Sequence, residues 1–163
     1  MEMEKENKLE KLKQDYGLIR GKYKLPDFKF MNENFEIESI AEEDTELLVR
    51  KVRKNVRDKV HAMINVFETF INPTSAPMFV FNVIKGFTQG EKEVIEKLYK
   101  KFAELEIDAF NLEITYNEKA EAEYIRKVCE LWKNSEKDLN KIYESMKASY
   151  GLETKKSEKS YFG

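Results

Sequence analysis

The residues best suited to binding or catalysis are three arginines and the single histidine of the chain, which follow one another at helical spacing. Arg50, Arg53, Arg57 and His61 are three, four and four residues apart, so they line one edge of a helix. A guanidinium group holds a phosphate or carboxylate through two parallel hydrogen bonds, which the ammonium group of lysine cannot do. The row therefore predicts an anion site for a phosphate, a nucleic-acid backbone or an acidic partner segment.

Structural ion pairs are the alternative interpretation of this row, and the one that we favour. Arg53 falls beside the apolar side of its helix, so we expect it to be half-buried and to need an acceptor. The carboxylates that a neighbouring helix can supply are Glu104, Glu106, Asp108 and Glu113. In this interpretation His61 has no special role.

Other catalytic and metal chemistries lack the residues that they need. One histidine and one cysteine, far apart in the sequence, cannot make up a zinc or di-iron site, and no calcium-binding loop is present. Any nucleophile would need His61 as its base, and no phosphate-binding glycine loop occurs. We therefore assign no catalytic residue, metal or cofactor and predict that the protein is not an enzyme. An all-α enzyme whose arginines hold an anionic substrate is the last of the alternatives.

The composition is that of a soluble protein with solvent-facing helices. The 163 residues are enough for one domain with a sizeable core, and 37% of them are charged, with both signs interspersed. A net charge of −2 argues against a protein that binds nucleic acid over its whole surface. Because the chain has one cysteine, no secretory signal and no apolar run long enough for a bilayer, we predict a cytoplasmic protein with no membrane partner.

A seven-residue repeat towards the carboxyl end predicts long packed helices. Its members recur at alternating steps of three and four residues, which is the spacing of one seam along a helix. They are Ala122, Ile125, Cys129, Trp132, Glu136, Leu139, Tyr143, Met146 and Tyr150. Another helix must cover this seam. We predict an interaction surface in its second half, formed by Trp132, Leu139, Tyr143, Met146 and Tyr150, and a homodimer if the seam extends beyond what one chain covers.

Capping signals divide the middle of the chain. A long helix is predicted to begin between Ser39 and Thr45 and to end before Pro73. A short, apolar helical segment follows, from Met78 to Phe87. We interpret it as a plug packed between long helices, with a docking surface as the alternative.

Another long helix is predicted to begin at the capping box of Thr88 and Glu91 and to break at Asn117. Apolar and polar residues alternate over 110–116, which is also the pattern of a strand. A small two-stranded sheet is therefore the alternative, although the helical spacing continues through Leu112 and favours a helix.

The ends of the chain are predicted to be less regular than its middle. Residues 1–15 are polar and read as a frayed amino terminus, and an irregular segment with one short helix after Pro26 follows them. The last long helix is predicted over about 119–150, with Gly151 as a left-handed stop. Residues 152–163 are predicted to form a flexible tail.

Several short motifs give the chain a resemblance to known proteins. They are Leu25-Pro26-Asp27-Phe28, Phe35-Glu36-Ile37, the acidic start of a long helix, and Glu123-Tyr124-Ile125 leading to Glu130-Leu131-Trp132. In this order they resemble small, uncharacterised, all-helical archaeal proteins over most of the chain. The resemblance implies an all-α fold and supplies no activity, ligand or catalytic residue.

Together these patterns predict a single all-α domain over residues 16–151. We expect an elongated, coiled-coil-like bundle of three long helices, with the short apolar helix and the irregular amino-terminal segment packed on it. The function predicted is that of a non-enzymatic helical scaffold or protein–protein interaction module, whose partner is another protein or a second copy. The alternative is anion or nucleic-acid backbone binding through the arginine row.

Overall fold

The structure is a computed structural model that describes residues 2–43 and 46–161, with the side chains of 2, 3, 5 and 152–161 left out. Within these ranges all regular structure is helical and no strand occurs, so the fold class is all-α as predicted. The small sheet considered for 110–116 is wrong, because α-helix continues there to Ile114.

The helices of the described ranges follow one another with short connections. They are α1 (Glu2–Tyr23), α2 (Phe28–Phe35), a 3-10 helix (Ile37–Glu42), α3 (Leu48–Ile71), a second 3-10 helix (Pro73–Ser75), α4 (Met78–Lys85), α5 (Gln89–Ile114) and α6 (Glu118–Tyr161). The three long helices and the short apolar helix of the prediction are α3, α5, α6 and α4.

The chain divides into two compact units. Unit 1 consists of Met1–His61 and Glu104–Leu131, and unit 2 consists of Ala62–Ala103 and Trp132–Gly163. The helices α3, α5 and α6 therefore each contribute residues to both units. The single domain predicted over 16–151 stays a prediction.

The core of unit 1 is built on the valine stripe of α3. Its buried members are Val49, Val52, Val56 and Val60, at helical spacing, and the other helices of the unit also bury apolar side chains. These buried residues include Leu12 and Tyr16 of α1, Met31 and Phe35 of α2, Leu105, Ala109 and Leu112 of α5, and Ile125 and Val128 of α6. Burial of these stripes fixes which edge of α3 faces α5 and α6.

The core of unit 2 is centred on aromatic rings. The rings of Phe67 and Phe102 lie 5.8 Å apart, and Phe102 meets Trp132 edge-on at 6.3 Å. Thr88 and Glu91 form the predicted capping box, since the Thr88 backbone N–H donates to Glu91 Oε2 at 2.8 Å. The predicted end of α3 at Ile71 and the start of α5 are confirmed.

The prediction of an irregular amino-terminal segment is wrong for residues 16–23, because α1 extends from Glu2 to Tyr23 and includes Gly17 and Gly21. Two buried anchors hold this helix: Leu12, and Tyr16, whose hydroxyl donates to the Pro26 carbonyl at 2.8 Å. Burial of these side chains outweighs the helix-weakening effect of two glycines. The short helix predicted after Pro26 is confirmed as α2.

Two helix boundaries differ from the prediction. The helix α3 begins at Leu48, because the preceding Ile37 and Ile40 are buried as part of a 3-10 helix that packs against α1. Thr45, the other predicted limit, lies outside the described residues. The helix α6 continues through Gly151, which has no positive φ, to Tyr161. The ten residues after Gly151 include neither glycine nor proline, so no helix breaker ends α6 there. The flexibility predicted for 152–163 stays a prediction, and its last two residues lie outside the described residues.

The substitution Gly151→Ala tests whether α6 passes through this position. We expect higher helical ellipticity and a free energy of unfolding that rises by up to about 1 kcal/mol, because alanine favours a helix interior. A helix that ended here in a left-handed residue would instead be destabilised by the added Cβ. Circular dichroism and urea denaturation measure both quantities.

Gly86→Ala is the control, and it should lower the free energy of unfolding instead of raising it. A Cβ at Gly86 would lie 2.5 Å from Ser149 Cβ, which is an impossible contact, whereas nothing lies within 4 Å of a Cβ at Gly151. Overpacking of this kind costs about 1–3 kcal/mol. The second substitution Ser149→Gly should recover most of that loss.

Candidate functional site

The arginine row of α3 meets three glutamates in unit 1. Glu106 and Glu113 come from α5, where they are seven residues apart, and Glu121 comes from the first turns of α6. We call the six residues the arginine–glutamate network; they are Arg50, Arg53, Arg57, Glu106, Glu113 and Glu121. Helical spacing places the arginines at three successive levels of α3, and each level reaches a carboxylate.

Arg53 and Glu121 form the centre of the network, and both side chains are fully buried. Arg53 Nε donates to Glu121 Oε2 at 2.7 Å, and Arg53 Nη1 donates to Glu113 Oε1 at 2.7 Å. The second oxygen of Glu121 accepts a hydrogen bond from Arg50 Nε at 2.9 Å. Charge-assisted bonds of this length satisfy both charges, which a buried ion pair requires.

The two outer arginines extend the network towards solvent. Arg57 donates to Glu106 Oε1 through Nη2 at 2.6 Å and Nε at 3.1 Å. Arg50 Nη2 donates to the carbonyl of Leu112 at 3.1 Å, and its guanidinium lies 4.7 Å from the centre of the Tyr116 ring. Each predicted anion-binding arginine is therefore engaged by groups of the protein.

His61 takes little part in this arrangement. Its Nδ1 lies 3.9 Å from Glu106 Oε1, beyond hydrogen-bond distance, and the side chain is exposed. Among the described residues no group of three or more histidines, cysteines, aspartates or glutamates is placed to hold a metal ion.

Two groups in or near the network have shifted pKa values. The hydrogen bond from Arg53 lowers the pKa of Glu113, because it favours the ionised carboxylate. Burial raises the pKa of the Tyr124 hydroxyl, and the charge of nearby Glu106 raises it further.

Two of the four carboxylates that were predicted to accept hydrogen bonds from the arginines do so in the structure. Glu106 and Glu113 receive the arginines, whereas Asp108 pairs with Lys127 at 3.1 Å and Glu104 is exposed. Arg53 is more deeply buried than predicted. Glu121 was not foreseen as a partner, because its place near the start of α6 suits an exposed acid at the helix dipole. The signal that reveals it is its heptad relation to the buried Val128.

Three guanidinium and three carboxylate charges cancel within the network. With no excess positive charge and with carboxylates on every arginine, the contacts favour structural ion pairs. Anion binding by Arg50, Arg53, Arg57 and His61 stays a prediction.

The predicted α6 surface is only partly covered. Trp132, Leu139 and Met146 are half-buried, whereas Tyr143 and Tyr150 are 53% and 54% exposed. The buried positions lie one residue earlier, at Ser135, Ile142 and Ser149. A small side chain is needed at position 149, because Ser149 approaches Gly86 so closely that no Cβ fits at that glycine. Glu136, Tyr143 and Tyr150 of the predicted seam are therefore exposed on this chain. The interaction role of the tyrosines stays a prediction.

A second apolar surface lies on α5 in unit 1. Ile107, Phe110 and Ile114 are 71%, 66% and 68% exposed, and their spacing of three and four residues places them on one face. We call these three residues the α5 stripe. The opposite face of the same helix is buried through Leu105 and Leu112. Phe110 and Ile114 of this second face, together with Leu112 of the buried face, produce the alternation over 110–116 that was interpreted above as a strand pattern.

The apolar segment Met78 to Phe87 has features of both predicted alternatives, the buried plug and the exposed docking surface. Val80, Val83 and Phe87 are buried, as in a plug, whereas Met78 and Phe79 are exposed. A surface concavity of about 560 Å³ lies beside its start and is lined by Ile71, Pro77 and Tyr99 among others. Tyr99 donates a hydrogen bond to Glu68 Oε1 at 3.0 Å on its wall.

Comparisons with family models, with curated proteins and with solved structures give no match for this chain. The resemblance to all-helical archaeal proteins therefore stays a prediction. No helix in the described part of the chain is long and apolar enough to cross a membrane.

Glu121→Leu is expected to lower the free energy of unfolding by about 3–5 kcal/mol, because it leaves the buried Arg53 with one of its two carboxylates missing. Combining it with Arg53→Met should restore most of the loss, since no buried charge then lacks a partner. Asp108→Ala, which breaks an exposed pair, should cost less than about 1 kcal/mol. Urea denaturation of the four proteins measures these differences. Equal losses for Glu121→Leu and Asp108→Ala would contradict the buried pairing.

The lowered pKa of Glu113 predicts a specific loss of stability in acid. The folded state binds the proton more weakly than the unfolded state, so the contribution is present above the ordinary glutamate pKa, about 4.3, and is lost as the pH falls towards the folded pKa. When the pH is lowered from about 6 to about 3, the free energy of unfolding of Glu113→Gln should therefore fall by less than that of the wild type. A larger fall in the free energy of unfolding of the variant would contradict the lowered pKa of Glu113.

Proposed function

We propose that this chain is a non-enzymatic interaction module that binds a helix of another protein, or of a second copy, through the α5 stripe. The observation that carries the proposal is the exposure of Ile107, Phe110 and Ile114, each about two-thirds accessible, on a single helix face. Anchors at positions i, i+3 and i+7 are the usual means by which helices recognise a helix or a groove.

The α5 stripe differs from ordinary surface apolar residues. Single exposed apolar side chains are common and need no explanation, but a contiguous set marks interaction sites. Leu18 on α1, 74% exposed, is an isolated example of the ordinary kind. Three large side chains at helical spacing give a partner a continuous apolar area to cover.

The arginine–glutamate network supports the same function by holding α5 in place. Glu106 and Glu113 lie on the helix that carries the stripe, and Arg53 and Arg57 bind them from α3. A surface that is rigid before binding loses less conformational entropy when a partner docks. In this proposal the network positions the stripe and contacts no ligand itself.

Nucleic-acid or anion binding has less support. The guanidinium groups that would hold a phosphate already bind glutamates, and the whole chain carries a net charge of −2. The half-exposed Tyr143 and Tyr150 on α6 favour interaction as well, as a second contact area. A cytoplasmic location belongs to the same proposal.

A photocrosslinking amino acid at position 110 tests the function directly. We expect a covalent adduct of one defined mass at Phe110 in cells, and that mass distinguishes a second copy from a different protein. The same probe at Leu18 is the matched control, since Leu18 is at least as exposed as Phe110 and lies on another helix of unit 1. We expect no defined adduct there.

Substitution of the α5 stripe completes the test. Ile107→Ser with Ile114→Ser should abolish the adduct at position 110 while leaving the free energy of unfolding within about 1 kcal/mol, because exposed side chains add little to stability. Adducts of similar yield at positions 18 and 110, or an adduct that survives both substitutions, would contradict the proposal.

A further inference from the structure

Three buried polar atoms of unit 1 have no hydrogen-bond partner among the described residues. They are Arg53 Nη2, Glu106 Oε2 and the hydroxyl oxygen of Tyr124. Each comes from a different helix: α3, α5 and α6. Arg53 and Tyr124 are more than nine-tenths buried, and the free oxygen of the half-buried Glu106 is itself shielded from bulk water. Buried polar groups without a partner are rare in folded proteins and call for an explanation.

The three side chains belong to one connected cluster. Arg53 and Arg57 both donate to Glu113 Oε1, at 2.7 and 3.5 Å, and Arg57 also binds the first oxygen of Glu106. After burial itself, the charges that act on the Tyr124 hydroxyl most strongly are those of Glu106 and Arg53. Arg53 and Glu106 are therefore linked by hydrogen bonds through Glu113 and Arg57, and Tyr124 lies near enough to both to be affected by their charges.

The hydrogen-bonding capacities of the three atoms define what can bind between them. Arg53 Nη2 can only donate, the ionised Glu106 oxygen can only accept, and the Tyr124 hydroxyl can do both. A ligand that contacts all three must both donate and accept. The charges of the network sum to zero, so an added cation or anion would meet an unfavourable charge in Arg53 or Glu106.

We propose that one buried water molecule binds between α3, α5 and α6, where it accepts from Arg53 Nη2, donates to Glu106 Oε2 and exchanges a hydrogen bond with Tyr124. Three hydrogen bonds is the usual number for a buried water. The water completes the arginine–glutamate network and links Tyr124 of α6 to it. This inference is independent of the proposed function.

A high-resolution crystal structure of the full chain decides the question. We expect one water oxygen within about 3 Å of Arg53 Nη2, Glu106 Oε2 and the Tyr124 hydroxyl. A direct hydrogen bond between Tyr124 and Glu106, with no water between them, would overturn the proposal. An ion at this position would overturn it equally.

Oxygen-17 relaxation dispersion of the solvent tests the same site in solution. The method counts the water molecules whose residence time in the protein is longer than the rotational correlation time of the protein. The wild type should show one more long-lived water than Tyr124→Phe. Tyr16→Phe is the matched control, since Tyr16 is also buried but donates directly to the Pro26 carbonyl at 2.8 Å. Equal dispersion in the wild type and Tyr124→Phe would contradict the proposal. If Tyr124→Phe does not fold, the wild-type crystal structure remains the deciding measurement.

Discussion

The buried pair of Arg53 and Glu121 is the interaction on which the arrangement of unit 1 depends. Two opposite charges without solvent exposure must meet each other, since neither can be hydrated. Arg53 also donates to Glu113 through its terminal nitrogen Nη1, so one side chain of α3 binds carboxylates of both α5 and α6. The valine stripe of α3 supplies apolar burial, but burial alone permits small rotations and shifts of a helix. The ion pairs remove that freedom.

This constraint explains the two faces of α5. Glu106 and Glu113 must face α3, which directs Leu105, Ala109 and Leu112 into the core of unit 1. Ile107, Phe110 and Ile114 are then left on the solvent side, where the helix cannot rotate to bury them. Their exposure is therefore a consequence of the polar contacts as much as of the apolar pattern. The charges of the six network residues also balance one another.

The architecture could be predicted from the sequence wherever a sequence pattern is compatible with a single local structure. The valine stripe of α3 and the capping box of Thr88 and Glu91 allowed a single interpretation, and Glu106 and Glu113 were among the acceptors expected for the arginines. Glu121 was missed, because an acid near a helix start has two uses that look identical in sequence. On α6 the choice between Ser149 and Tyr150 depended on contact with Gly86, which no local pattern contains. In α1, two glycines suggested irregular chain, whereas distant partners of Leu12 and Tyr16 hold a helix.

The most direct measurement of the central pairing is the rate at which the Arg53 Nε proton exchanges with solvent, observed by nuclear magnetic resonance of the arginine side chains. Arg20 and Arg126 are exposed and provide the reference rate within the same molecule. The Nε–H of Arg53, buried and bonded to Glu121 at 2.7 Å, should exchange far more slowly than either. Exchange of Arg53 at the rate of Arg20 would show that the pair is open to solvent and would contradict this account.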